Sequence, residues 1–371
     1  MRPFLTVFAT IAVFLSPVGA RAGEILNLGD PAPPLAVSGW VKGEKVERFE
    51  PGQTYVVEFW ATWCGPCRAS IPHLTELAHR FKDKGVRFVG VDIWERDTKL
   101  VKPFVEEMGA KMDYSVALDT VPEKADPNEG IMAKTWMKAA EENGIPTAFV
   151  IRDGKIAWIG HPMNLDEPLA KITAGDWDPA ARAKERLTEK TRERKASVVW
   201  EKILKPYRAQ DYKATLAALE EATSGDAELA EEFAWVKFAA LCNGGDADAG
   251  LAIGEKLLRS NHDKPHALNN YFWNVIDLKL KKEPDPRVAE LALRAARRAD
   301  ELTKGKDLAI LDTLAVALYR TGHAAEAVTT EEKALKQLEA DTPDRSHPYF
   351  KLFNERLELF RKAAAEKAGG R

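Results

Sequence analysis

From residue 55 to 60 the chain is apolar at every position but one, the pattern of a strand buried on both faces. The exception is Glu58, a carboxyl in the middle of that strand. Downstream, Ile71, Leu74, Leu77, Ala78 and Phe81 recur at helical spacing, and Pro72 among them predicts a kink rather than an end. Residues 86–93 read as a second buried strand, 98–108 as a helix, 116–118 as a short strand and 131–143 as a helix. Residues 144–151 form a strand that turns through Arg152, Asp153, Gly154 and Lys155 into residues 156–160, an antiparallel hairpin. Upstream, the proline-rich stretch 28–34 leads to a candidate hairpin over residues 37–49 with Gly43 at its turn.

Beyond Trp177 strand-type runs disappear. Asp178-Pro179 starts a helix, and a highly charged helical linker is expected over residues 178–205. Helices follow near 210–222, 226–243, 246–260, 264–281, 285–304, 306–321, 323–340 and 346–367, joined by turns short enough to force antiparallel neighbours. Tyr271, Phe272 and Trp273 stand in a row that no single helix face can bury.

Composition changes the picture at the N-terminus. Arg2, an apolar stretch from 4 to 15, and Ala20-Arg21-Ala22 read as a secretory signal peptide over residues 1–22, shorter than the roughly 20 apolar residues of a membrane span. Export, to a periplasm or outside the cell, is therefore expected in preference to an uncleaved anchor. Cleavage leaves 52 basic against 57 acidic residues, near −5, which argues against a nucleic-acid partner. Three cysteines are too few to staple the fold, and two of them are Cys64 and Cys67.

That pair, in Trp63-Cys64-Gly65-Pro66-Cys67, sits where the buried strand gives way to the amphipathic helix. Two intervening residues put both sulfurs at one helix end, close enough to bridge. Cys64, expected to be exposed, falls at the N-terminus, where unpaired amides and the macrodipole favour a thiolate, so it is the expected nucleophile. Cys67, a turn inside, is the resolving thiol. Glu58, partly desolvated, should have a raised pKa and exchange protons below the pair. Trp63 offers an exposed aromatic contact surface.

Residues 56–81 closely resemble the thioredoxin active-site strand and helix, and residues 144–160 resemble the thioredoxin cis-proline strand and terminal hairpin. With the added N-terminal hairpin and the insertion at 111–138, the likeness is to the exported TlpA/ResA-like disulfide reductases. It implies an α/β thioredoxin-like domain over residues 23–177, a central mixed sheet flanked by helices. It also implies a cis bond before Pro146 and a backbone at Ile145 able to pair with an extended client. Trp63, Gly65, Pro66, Ile145 and Pro146 are thus the expected client-binding residues. Many members of that branch carry a glutamate three positions after the second cysteine, where this chain has Ser70. Residues 314–335 resemble one tetratricopeptide unit, which implies a TPR-like all-α helical-repeat domain over residues 206–367, with fainter echoes of the unit earlier.

The expected activity is thiol-disulfide oxidoreductase, a reductase of protein disulfides. No metal is expected, and no cofactor beyond the redox-active Cys64–Cys67 disulfide; His161 and Met163 raise copper only weakly. Expected partners are client proteins with disulfides, an upstream electron donor in the membrane, and a peptide or protein ligand of the helical half. The competing class is a helical-repeat adaptor whose thioredoxin-like part is scaffold or redox sensor. The intact Cys-Gly-Pro-Cys and Glu58 favour the enzyme. Cys242 is expected to be a small buried hydrophobe.

Overall fold

The computed structural model describes residues 25–342 and 348–369; the expected signal peptide, residues 1–22, lies outside them. The chain divides into two compact units, Met1–Thr191 and Arg192–Arg371. In the first, the elements run β1 (Val37–Lys42), β2 (Thr54–Trp60), α1 (Gly65–Phe81), β3 (Val86–Asp92), α2 (Val101–Met108), β4 (Ser115–Asp119), β5 (Thr147–Arg152), β6 (Lys155–Gly160) and α3 (Asp166–Ala174). The six strands form one sheet in the order β1-β4-β3-β2-β5-β6. β2 is parallel to β3 and antiparallel to β5, and β3 is parallel to β4.

All of β2 is buried because it lies mid-sheet with both faces covered. Val56 and Trp60 pack with Ile71, Leu74 and Leu77 of α1 on one face. Tyr55, Val57 and Phe59 pack with Trp136 and Phe149 on the other. The β5–β6 hairpin turns at Asp153 and Gly154, with φ of 52° and 72°, the left-handed geometry a two-residue hairpin loop requires.

Two local expectations are corrected. The hairpin over residues 37–49 does not form: β1 pairs antiparallel with β4, and residues 44–49 make no strand. Glu44, Lys45, Glu47 and Arg48 leave Val46 without apolar company in its own segment, while β4 offers an edge to β1. The helix expected over 131–143 is shorter, and its core is a π-helical turn, Ala133–Lys138. Its start is held by Asp119, whose carboxylate accepts from the amides of Met132 (2.8 Å) and Ala133 (2.9 Å).

The stretch expected as a linker belongs to one long helix, α4 (Pro179–Arg208), and the division between units falls within it. Its first half is fastened to the first unit. Arg186, 8% exposed, donates to the carbonyls of Leu26 (3.1 Å) and Ala140 and to Glu142 (2.8 Å). Lys190 donates to the carbonyl of Glu141 (3.0 Å). Its second half contributes Val199 and Ile203 to a core with Leu219, Phe233 and Val236 in the second unit.

That second unit continues as α5 (Tyr212–Thr223), α6 (Ala227–Glu232), α7 (Ala234–Gly244), α8 (Ala247–Ser260), α9 (Pro265–Trp273), α10 (Pro286–Thr303), α11 (Leu308–Arg320), α12 (Ala324–Asp341) and α13 (Pro348–Gly369). The helix expected over 226–243 breaks at buried Phe233, and the one over 264–281 stops at Trp273. Each of α7 to α12 except α8 packs on its successor, and α5 meets α7, α7 meets α9, α8 meets α10 and α9 meets α11. Of the aromatic trio, Phe272 is fully buried. Tyr271 stacks on Trp235 with ring centroids 6.0 Å apart, and Trp273 lies beneath the Arg356 guanidinium at 5.0 Å.

Candidate active site

The turn after β2 delivers Cys64 to the N-cap of α1, in extended backbone at φ −82°, ψ 102°, and its sulfur accepts from the Cys67 amide at 3.1 Å. One of the orphan donors at the helix start therefore points at Cys64 Sγ, where it would favour a thiolate once the sulfur is free. Cys64 and Cys67 are bridged, with Cα atoms 5.2 Å apart. Cys64 is 4% exposed and Cys67 0%, so the expected exposure of Cys64 is not found in the disulfide form. Its sulfur is tied back to Cys67 and sits 3.7 Å from the carbonyl oxygen of Ile145, 81 residues away in sequence. Trp63 is 57% exposed, Gly65 and Pro66 are exposed, Ile145 is half-buried and Pro146 is buried. The Ile145–Pro146 bond is cis.

Three residues that hold this turn were not read from the sequence. Glu95, buried, accepts from the Thr62 amide at 3.0 Å and the Thr62 hydroxyl at 2.6 Å. The indole of Trp63 donates to the carbonyl of Trp94 at 3.2 Å, and Trp94 itself has φ +58°, an uncommon left-handed conformation for a bulky residue. The segment after β3 thus clamps the segment before Cys64 at two points. No local pattern marks a glutamate for this task; only the parallel pairing of β2 and β3 brings it there.

Glu58 is 1% exposed and shares the α1-facing side of β2 with Val56 and Trp60, members of the core that includes both cysteines. Burial pushes its carboxyl up to about 8, with the Tyr114 hydroxyl acting in the opposite sense. Neither carboxylate oxygen, nor Trp60 Nε1, Asp92 Oδ2 or the Tyr114 hydroxyl, finds a protein partner of ordinary hydrogen-bond geometry. Gly90 lies opposite Glu58 in the register, and a Cβ there would stand 3.0 Å from Tyr114 Cε2, 3.1 Å from Trp60 Nε1 and 3.3 Å from Glu58 Oε2. A side chain at position 90 would occupy the place these groups take.

Ser70 is buried and its hydroxyl donates to the Cys67 carbonyl at 3.0 Å. His161 accepts from the amide of Met163 at 3.3 Å, and Met163 is half exposed. Cys242 packs with Phe238 and Leu257, and burial pushes its thiol up to about 12.

The AhpC/TSA family profile matches residues 28–159. Protein FixW of Rhizobium leguminosarum is 31% identical over 205 residues, covering 53% of this chain and 90% of that protein. Thiol-disulfide oxidoreductase ResA of Bacillus anthracis is 33% identical over 135 residues, 36% of this chain and 69% of that one. Among solved structures, a thiol-disulfide isomerase from Corynebacterium glutamicum aligns at 22% identity and a TM-score of 0.33, over 40% of this chain and 97% of its own. The chain belongs, with its ResA relatives, to the thiol-disulfide oxidoreductases of thioredoxin-like fold, and its residues 28–159 carry the AhpC/TSA profile.

Proposed function

We propose that this chain is an exported reductase of protein disulfides in which Cys64 is the nucleophile, Cys67 the resolving thiol and Glu58 the proton-handling acid. The observation that carries the reading is the position of Cys64 Sγ, at the N-terminus of α1 with the Cys67 amide at 3.1 Å. In the reduced chain the Cys64 thiolate attacks one sulfur of a client disulfide, and the other client sulfur leaves as a thiolate. Cys67 then passes its proton to Glu58 and attacks Cys64 Sγ, which releases the second client sulfur. Two electrons reach the client and the chain ends bridged, so a dithiol donor, expected at the membrane, must reopen it.

Trp63, Gly65, Pro66 and the Ile145–Pro146 backbone surround the sulfur and form the surface on which an extended client segment lies. Gly65-Pro66 matches reducing thioredoxins, whose potentials lie near −270 mV against about −120 mV for a strong oxidant. In the helical unit, contacts between helices two places apart are what stacked helix pairs produce. They support a TPR-like role in recruiting clients or partners. No helix among the described residues is long and apolar enough to cross a membrane.

The test is insulin reduction with dithiothreitol. Wild type should accelerate it and Cys64→Ser should not, while Cys67→Ser should strand clients as mixed disulfides on Cys64 for identification by mass spectrometry. Undiminished catalysis in Cys64→Ser would overturn the assignment.

A further inference from the structure

The redox chemistry proposed above uses one buried acid, but the cysteine-facing side of the sheet carries two. β2 and β3 are parallel, with Glu58 opposite Gly90 and Trp60 opposite Asp92. Paired residues point to the same face, so Glu58 and Asp92 are diagonal neighbours there, roughly 8 Å apart at Cα from ordinary strand spacing and rise. Asp92 is 2% exposed, and its Oδ2, like both oxygens of Glu58, has no protein partner of ordinary hydrogen-bond geometry. Among the described residues no ion pair reaches either carboxyl.

The groups around the pair do not neutralise it. Glu95 follows β3, Asp119 ends β4, and Tyr114, whose hydroxyl bears on Glu58 without an ordinary hydrogen-bond geometry, precedes β4. From α1 and its N-cap, the shared core receives Cys67, Ile71 and Leu74, and Cys64. The α1 cation Arg68 lies over the Phe104 ring at 5.2 Å and makes no ion pair with either carboxyl. Two buried carboxyls this close, with no ion-paired cation, cannot ionise independently.

We infer that Glu58 and Asp92 titrate as one coupled pair behind the Cys64–Cys67 bridge, with Asp92 the positioning residue that sets the pH at which Glu58 trades its proton. The inference rests on the proposed role of Glu58. Burial, then Glu95, Asp119 and Glu58, push Asp92 up to about 9, in line with that geometry. When a dithiol opens the bridge, the Cys67 sulfur leaves as a thiolate and takes a proton from the pair. On closing, the pair takes that proton back.

The decisive measurement is an infrared titration of buried protonated carboxyls in the full-length oxidised chain, as wild type, Glu58→Gln and Asp92→Asn. Read as wild-type-minus-variant differences, which remove the common signal of the buried Glu331 carboxyl, coupling predicts that Asp92 in Glu58→Gln titrates about tenfold in proton concentration below its wild-type step. In insulin reduction, Asp92→Asn should lose the upper break of the pH profile while Cys64 keeps its reactivity toward iodoacetamide. An Asp92 step left at its wild-type position in Glu58→Gln, or an Asp92→Asn activity profile identical to wild type, would overturn the coupling. If Asp92→Asn does not fold, Glu58→Gln alone decides, since its Asp92 step must then fall. The titration needs no turnover, so a coupled pair in a chain that reduces no insulin would sink the functional reading alone.

Discussion

Glu95 and Thr62 show how much of the redox site depends on a single carboxylate outside the Cys-Gly-Pro-Cys sequence. Its two hydrogen bonds fix the residue two before Cys64. Glu95→Ala leaves a half-buried amide and hydroxyl without their charged acceptor, a loss of about 1–3 kcal/mol. We expect the iodoacetamide reactivity of reduced Cys64 to fall by roughly tenfold, with partial recovery in Glu95→Gln, which keeps one acceptor. Glu58 makes a second prediction at this scale. Its folded value of about 8 against the ordinary 4.5 of a glutamate means that the folded chain retains a proton the unfolded chain has released across that window. Stability is therefore full below about 4.5 and falls as the pH rises toward 8, by about 1.4 kcal/mol per pH unit. Hydrogen-exchange protection of the β2 and β3 amides should drop between pH 5 and 8 in wild type and less steeply in Glu58→Gln, where the contribution of Asp92 remains.

Single elements depend on close approach as much as on periodicity. α8 comes near α7 and α10 because Gly254 has no side chain; a Cβ there would meet Phe238 Cε2 and Leu291 Cδ2 at 2.7 Å each. Both neighbours are buried core, so Gly254→Ala should cost about 1–3 kcal/mol through overpacking. Denaturation monitored in the helical unit should register that loss, while the thiol reactivity of Cys64 stays at wild type. Gly90 plays the same part in the sheet, where its missing side chain leaves Glu58, Trp60 and Tyr114 their space. At this scale the hydrophobic pattern of β2, α1, β3 and the β5–β6 hairpin was legible. The partner of β1 was not, because a strand's own alternation says nothing about which distant edge it will meet.

For the whole molecule, the position of the boundary within α4 is testable. Arg186 and Lys190 satisfy carbonyls of Leu26, Ala140 and Glu141. A chain ended after Thr191 keeps those anchors and should retain thiol exchange with a small disulfide. One ended after Trp177 leaves the carbonyls of Leu26 and Ala140 without their arginine partner. Its thermal midpoint should be lower by several degrees, consistent with a loss of about 1–3 kcal/mol. Equal midpoints for the two truncated chains would place the end of the first unit before α4.

The amino-acid order alone determined what depends on neighbours a few residues apart. Cys64 and Cys67 fall at a helix start because an apolar strand gives way to an amphipathic pattern there, and Glu58 is conspicuous because every residue around it is apolar. The same local periodicity marked the change to helices after Trp177. Tertiary structure decided what depends on strands and helices meeting. It set Ile145 against Cys64, Glu95 beneath Thr62, Asp92 beside Glu58 across the β2–β3 register, and Arg186 on the carbonyls of the first unit. Burial and hydrogen-bond supply are properties of assembled space, so a polar residue acquires such a role only once the chain has closed around it.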